Sequence, residues 1–370
     1  MQNFYSIISQ HSTARAVIKD CLQQLENAPE TANFGFIYAT DAMSADLKKL
    51  LRESKQKSGI RHWAGSLGMG VISSKGEHYD TPAASIMLAE FDQNDFAMLP
   101  LISHSNEIPD NLATPREFST SFGLVHGDPL NPETQNLVHD LQQHIKNSFI
   151  VGGLTSSRDK QFQVADNVYS GGISGVMFSE NIGVISNLSQ GCSPVGGKHK
   201  ISKSEENVIF TLDNKPALDV LMDDMHISTE AELKHRAASV FTGLCVPDSD
   251  ISDYTVRNLI GVDLEHRAFA INDYLTEGNE LIFCRRDNQS AVEDMQQMLD
   301  NMARRLKHTP RGGIYISCMG RGREQFGKDS EEIKMIQKTL GDFPLTGFFA
   351  NGEIHHDKLY GYTGVLTLFT

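Results

Sequence analysis

Residues Ser317 to Gly327, SCMGRGREQFG, set a thiol, three glycines and two arginines behind the apolar run GGIYI. Two chemistries fit those residue types. A nucleophilic Cys318 would need a base or an electropositive setting to form thiolate. Arg321 and Arg323 supply charge, and no histidine lies nearby in sequence, although the fold could bring one. A cysteine-dependent enzyme using Cys318 or Cys192 is therefore one reading. The other is a ligand loop. Guanidinium is always charged and forks onto carboxylates, while flanking Gly320 and Gly322 let the backbone come close to a ligand. A structural ion pair competes with it, with Glu353 of GFFANGEI as partner, and both hold together if one pair positions the second arginine. Neither GxxxxGK[ST] nor GxGxxG fits the segment, so nucleotide binding is disfavoured.

Phe348 and Phe349 precede Asn351 and Glu353, which puts apolar surface beside an amide and a carboxylate at a strand end. That mixture suits a small amphipathic ligand: an arginine meets its carboxylate, and Glu353 or Asn351 its ammonium. Core packing competes for at least one ring, because strand alternation sends the two to opposite faces. EIHHD, residues 353 to 357, clusters metal-type donors, but adjacent histidines on a strand point apart. His139 and His144 are five apart, which is wrong for one helical face. The spacing supports no dedicated zinc or iron site. A haem asks for one axial histidine or cysteine, an apolar crevice and basic groups for its propionates. His199, His226, His235 and His266 are candidate donors, and spacing selects none of them.

The elements that must position these groups alternate. Ala14, Val17, Ile18, Cys21, Leu22 and Leu25 share a helical face with Ser12 as its cap, FGFIYAT reads as a buried strand, and SADLKKLLRES as a helix. HWAGSLGMGVIS, ASIMLAEF and DFAMLPLI supply strands, NPETQNLVHDLQQHI a helix, and SFIVGGLTSS a strand ending in paired glycines. Strand-to-glycine junctions recur at SGGISGVMF, LSQGCSPVGG and PRGGIYISCMGRG, too irregularly spaced for a solenoid. VIFTLDNKPALDVLMDDM reads as strand, turn and helix, and the polar HISTEAELKH after it marks a boundary near residue 225. Beyond it lie strands at AFAIND and ELIFCRRD and a helix over 290–306 with Val292, Met295, Leu299, Met302 and Leu306 on one face. Asp329 and Glu332 are spaced as a capping box for a further helix, and FPLTGFFANGEI and YGYTGVLTLFT close the chain as strands. The class is mixed α/β: two α/β modules with mixed sheets, 1–225 and 226–370, and a ligand cleft between or beside them.

The chain has 370 residues and a formal net charge of −14, with 39% hydrophobic and 22% charged residues. Such a length suits two domains and a substantial core. The acidic balance and the lack of a basic stripe argue against nucleic acid. Cys21, Cys192, Cys245, Cys284 and Cys318 are odd in number, far apart and never in CxxC, as expected of reduced thiols in a cytoplasm. No stretch reads as a signal peptide or is apolar enough to span a bilayer. A cytoplasmic protein without membrane segments is expected, so any membrane signal reaches it through a partner or a diffusible molecule.

YISCMGRGREQFG, PLTGFFANGEI and LYGYTGVLTLF resemble the C-terminal module of the FIST family, as do YTVRNLIGVD and EGNELIFCRRD. SGGISGVMF, SQGCSPVGG and NVIFTLDNKPALDVL resemble its N-terminal module. The resemblance runs from about Phe34 to Phe369. WAGSLGMGV departs from the family's small-residue GCSS-like turn in having no cysteine. The resemblance implies an intracellular sensory module for small ligands, proposed to include amino acids. Some stand-alone members bind haem, sense nitric oxide and regulate a partner histidine kinase. On this footing Arg321 and Arg323 are the charge-bearing members of a ligand site with Ser317, Cys318, Phe349, Asn351 and Glu353. Gln190 and Cys192 of SQGC, with Arg257 and Asn258, are added as lining residues.

Overall fold

A computed structural model describes residues 4–109, 120–145, 148–236, 240–245 and 254–370. The chain divides into two compact units, one of Met1–Ser189 with Met295–Thr370 and one of Gln190–Asp294.

The first unit is built from three copies of one chain path. Copy one starts with β1 (Phe4–Gln10) and α1 (Ala14–Gln24). It continues through β2 (Phe34–Thr40), α2 (Leu47–Ser58) and β3 (His62–Gly68), then a hairpin, β4 (Gly70–Ser73) and β5 (Gly76–Tyr79), and returns in β6 (Ala83–Ala89). Copy two is β7 (Phe96–Ile102), β8 (Thr120–Gly127), α3 (Thr134–His144), β9 (Phe149–Leu154), the hairpin β10 (Gln163–Ala165) and β11 (Asn167–Tyr169), and β12 (Ile173–Ser179). Copy three opens with β13 (Val184–Gln190), after which the chain passes through the second unit.

That second unit holds β14 (Cys192–Glu205), β15 (Val208–Leu212), β16 (Lys215–Pro216), α4 (Ala217–Asp224), α5 (Glu230–Arg236), β17 (Val240–Cys245), β18 (Tyr254–Asp263), β19 (Ala268–Ile271) and β20 (Glu280–Arg286). Its strands make one antiparallel sheet, ordered β14-β20-β17-β18-β19-β15-β16. Leu218 and Leu221 of α4 join Ile209, Phe269 and Phe283 in its core. Copy three then resumes with α6 (Asn288–Arg305), β21 (Gly312–Cys318), α7 (Glu331–Leu340), β22 (Leu345–Ala350), the hairpin β23 (Glu353–His355) and β24 (Lys358–Tyr360), and β25 (Thr363–Phe369).

In every copy the second strand runs parallel to the strand after its helix: β2 with β3, β8 with β9, β21 with β22. The returning strand, β6, β12 or β25, then pairs antiparallel with that second strand. Each hairpin is given away. The first copy's β4 pairs with β22, the second copy's β10 with β3, and the third copy's β23 with β9. Three six-stranded mixed sheets result, each completed by a hairpin from another copy, and the exchange closes in a ring.

One face of all three sheets meets in a common apolar core containing Phe34, Phe122, Phe178, Phe348 and Phe369. The other faces are covered separately: Trp63, Leu47 and Val17 lie between the first sheet and its helices, Leu137 and Ile150 over the second, Met295, Ile336 and Phe349 over the third. Buried on both faces, β2 and β21 read as unbroken apolar runs rather than alternating ones. Glycine marks the same register point in each copy. A Cβ at Gly65, Gly152 or Gly347 would lie 1.7, 1.7 or 1.8 Å from the carbonyl oxygen of Ile37, Val125 or Tyr315 on the parallel neighbour.

Local signals locate most elements, with two differences at helix starts. Thr13, not Ser12, caps α1, its side chain accepting from the N–H of Ala16. The 329–332 spacing is not a capping box. Ser330 is the N-cap of α7 at φ 56°, and Glu332 turns into the protein instead. The phenylalanines separate as strand alternation requires, Phe348 to the inner core and Phe349 to the outer one.

Candidate functional site

The loop after β21 is held by a buried ion pair whose partner differs from the one expected. Arg321 and Glu332 are both fully enclosed, with Nη2 2.9 Å and Nε 3.0 Å from Glu332 Oε1. Tyr315 and Ser317 donate to the same carboxylate at 2.5 and 3.2 Å, and the N–H of Gly322 at 2.8 Å. The remaining guanidinium hydrogens go to Ser189, at 3.2 Å to its carbonyl and 3.1 Å to Oγ, and to Tyr362 O at 3.5 Å. Burial and this saturation make Arg321 a structural cation, its fork spent on protein groups. Removing one partner of such a pair costs about 3–5 kcal/mol. Glu77 lies near the pair and donates nothing to it. Burial and the charge of Glu332 push its carboxyl up to about 8, and Tyr79 donates to it at 2.7 Å.

The other sequence-selected residues are spread out. Arg323 is partly exposed, pairs with Asp80 at 2.5 Å and lies over the Tyr79 ring at 4.5 Å. Phe349 packs on Tyr79 with centroids 4.8 Å apart, and Asn351 is exposed. Cys318 is buried; desolvation and Glu353 hold its thiol far above the ordinary range, which disfavours the thiolate a nucleophile needs. In the second unit Gln190 donates to Tyr254 O at 3.1 Å, Cys192 is buried, Arg257 pairs with Asp273 at 2.7 Å, and Asn258 is exposed. Gln190 Oε1 is among the buried polar atoms with no hydrogen-bond partner.

Glu353 belongs to a different constellation. Its Oε2 accepts from the N–H and hydroxyl of Thr363 at 3.1 and 2.8 Å, while Oε1 has no partner. The strand registers place it in a lateral row on the inner face of the second sheet, Ser174–His126–Gly153–Glu353. The corresponding row of the first sheet is Ser85–Tyr38–Ser66–Gln163, and that of the third is Val365–Ile316–Phe348–Val71. Two rows are polar and one apolar. Across the middle, Tyr38 Oη lies 3.1 Å from His126 Nε2, and the Phe348 ring lies 5.2 Å from Tyr38 and 5.8 Å from His126. Ser66 bonds Thr155 at 3.0 Å and Ser85 bonds Thr346 at 2.8 Å.

Four fully buried side chains in this layer keep a polar atom without a partner: His126 Nδ1, Gln163 Oε1, Ser174 Oγ and Glu353 Oε1. Each such atom costs about 1–3 kcal/mol if nothing else meets it. Burial pushes Glu353 up to about 8 and His126 down to about 3, so both are neutral at pH 7. Sequence reading missed this layer. The imidazole within the apolar run FGLVHG of β8 was its local sign.

A second arrangement lies at the amino end of β3. His62 Nδ1 sits 2.9 Å from Asp166 Oδ2, and the other carboxylate oxygen accepts from the N–H of Trp63 at 2.9 Å. Asp166 is at φ 61°, a conformation that aspartate tolerates better than most residues. A cleft of about 690 Å³ is lined here by Ile60, Arg61, His62, Phe96, Met98 and Asp166, among others. The histidines offered earlier as haem donors are placed differently. His199 is held on both nitrogens, by Asp213 at 2.7 Å and Asp224 at 2.8 Å. His266 faces Asp263, and His226 and His235 are exposed. Among the described residues no three His, Cys, Asp or Glu side chains gather as a metal site, and no helix is long and apolar enough to cross a membrane.

Comparison with known proteins adds the lineage. An uncharacterised protein of Mycobacterium tuberculosis is 28% identical over 323 residues, 82% of either chain. One of Mycobacterium bovis is 25% identical over 320 residues with the same coverage. Among solved structures, a cyanuric acid hydrolase from A. caulinodans aligns over 100% of this chain and 99% of its own, at 7% identity and a TM-score of 0.36, which carries no argument. The family model of the FIST N domain matches residues 33–215 and that of the FIST C domain residues 217–356. The two matches meet within the second compact unit, and together they span both units. FIST domains are sensor domains of signal transduction, and this chain belongs to the FIST family.

Proposed function

We propose that this protein is a small-ligand sensor acting on a separate signalling protein such as a histidine kinase, with haem as the bound group and nitric oxide as the signal. The observation that supports it is the His62–Asp166 pair at the 690 Å³ cleft. Axial histidines characteristically give one ring nitrogen to a carboxylate or carbonyl, which fixes the tautomer and ring plane. Here Asp166 takes Nδ1, leaving Nε2 as the donor. Ile60, Phe96, Ala97 and Met98 provide apolar wall, and exposed Arg61 provides a cation for propionates. The volume lies within the range of small-ligand and cofactor sites. When bound, the haem supplies the iron at which a diatomic gas is read; the chain's residues orient the donor and hold the macrocycle.

A sensor also requires its ligand to favour one of two states, otherwise nothing is transmitted. The test begins with the full chain purified with haem supplied. A Soret band that moves on adding nitric oxide is expected in the wild type, with loss of most of the band in His62→Ala and partial recovery with imidazole. An unchanged band in His62→Ala removes the axial assignment. Partner-kinase rates identical with and without nitric oxide at saturation remove the sensor reading itself.

A further inference from the structure

The polar layer inside the three-copy unit has no role in the haem reading. It crosses β3 at Ser66, four residues beyond His62, about 13 Å along the strand. The two places therefore take different ligands.

Buried polar side chains are nearly always satisfied, and exceptions gathered in one layer point to a polar guest. Here the unmet atoms come from three separate strands, β8, β10 and β12, and from the hairpin strand β23, so no single local distortion accounts for them. Glu353 is faced by Thr363, Cys318 and, through its charge, Arg321. Arg321 is already committed to Glu332 and Ser189. No uncommitted cation remains, so a carboxylate would be buried unpaired at heavy cost, and an ammonium would have to ionise Glu353 against its desolvation.

What the layer offers is mixed hydrogen bonding against one apolar wall. Gln163 Oε1 accepts, protonated Glu353 donates, and Ser174 Oγ and His126 Nδ1 serve either way. A secondary amide presents an N–H and a C=O on adjacent atoms and matches such a set, and the Tyr38 and Phe348 rings, stacked on one another, supply the apolar neighbours. We infer that this layer, formed by His126, Gln163, Ser174 and Glu353 around Tyr38 and Phe348, is a binding site for a small uncharged amide-bearing molecule.

The probe is 2-piperidone, a neutral six-membered lactam, with acetate and methylammonium as charged controls. Saturation-transfer NMR on the haem-free full chain reads binding, so failure here leaves the haem reading intact. The wild type should bind the lactam at least tenfold better than either control. Gln163→Leu and Ser174→Ala should each weaken lactam binding about tenfold; Ser174→Ala removes an unmet buried atom and should melt no lower than the wild type, whereas Gln163→Leu also loses the Nε2 bond to Gly172 O at 2.9 Å. Equal lactam binding in both variants, charged controls that bind as well, or no lactam binding at all overturns the inference. No binding together with a raised melting temperature in Ser174→Ala overturns it too and assigns the layer to ordered water only.

Discussion

Glu353 carries a titration that should be visible in the stability of the protein. Desolvation moves its carboxyl from an ordinary 4.5 up to about 8, outweighing the Thr363 hydrogen bonds and the charge of Arg321, which favour ionisation. The folded state therefore binds more protons than the unfolded one between those values. Stability contributed by the protonated group is fully present below about pH 4.5 and is lost as the pH rises towards 8. Glu77, also raised to about 8, adds to the same slope. Glu353→Gln should flatten the fall, gaining on the order of 3 kcal/mol on the wild type between pH 5 and pH 8.5 in denaturant unfolding. Parallel pH profiles for the two proteins would show that Glu353 is ionised in the fold.

At the scale of elements, the register glycines decide how closely the parallel strands approach. Cβ atoms at Gly65 and Gly347 would fall within 2 Å of a backbone oxygen, which a flexible neighbour cannot relieve. Gly65→Ala and Gly347→Ala should each destabilise by about 1–3 kcal/mol or more, read from the denaturation midpoint. Gly59, at φ 74° after α2 with open space around it, is the control: alanine there meets backbone strain but no contact. Neutral substitutions at Gly65 and Gly347 would contradict the strand pairing. The same scale explains the loop after β21. Its glycines and arginines bring Gly322 N–H and Arg321 onto Glu332 of α7, so the loop fixes a helix to the sheet.

The three copies share one inner core and exchange their hairpins in a ring, so no copy keeps a complete sheet if another opens. Cooperative units of this kind unfold together. Hydrogen exchange on the central strands β2, β8 and β21 should report opening free energies that agree within about 1 kcal/mol. Exchange a hundredfold faster in one of the three would mean that its copy opens alone.

The sequence by itself determined the local elements and the lineage. Apolar runs and helical periodicity are properties of neighbouring residues, and β2, α3, α6 and β25 stand close to where those patterns put them. Motifs such as YISCMGRGREQFG likewise need only adjacent residues to be legible. The tertiary structure alone decided pairing. Arg321 had both Glu332 and Glu353 as acceptors farther along the chain, and the inward turn of α7 chose Glu332. The triplication was hidden because the second unit interrupts copy three and because equivalent positions differ in type, Tyr38, His126 and Ile316 being one such set. Register across strands distant in the chain, which local sequence does not encode, put those side chains into one layer and set His62 against Asp166.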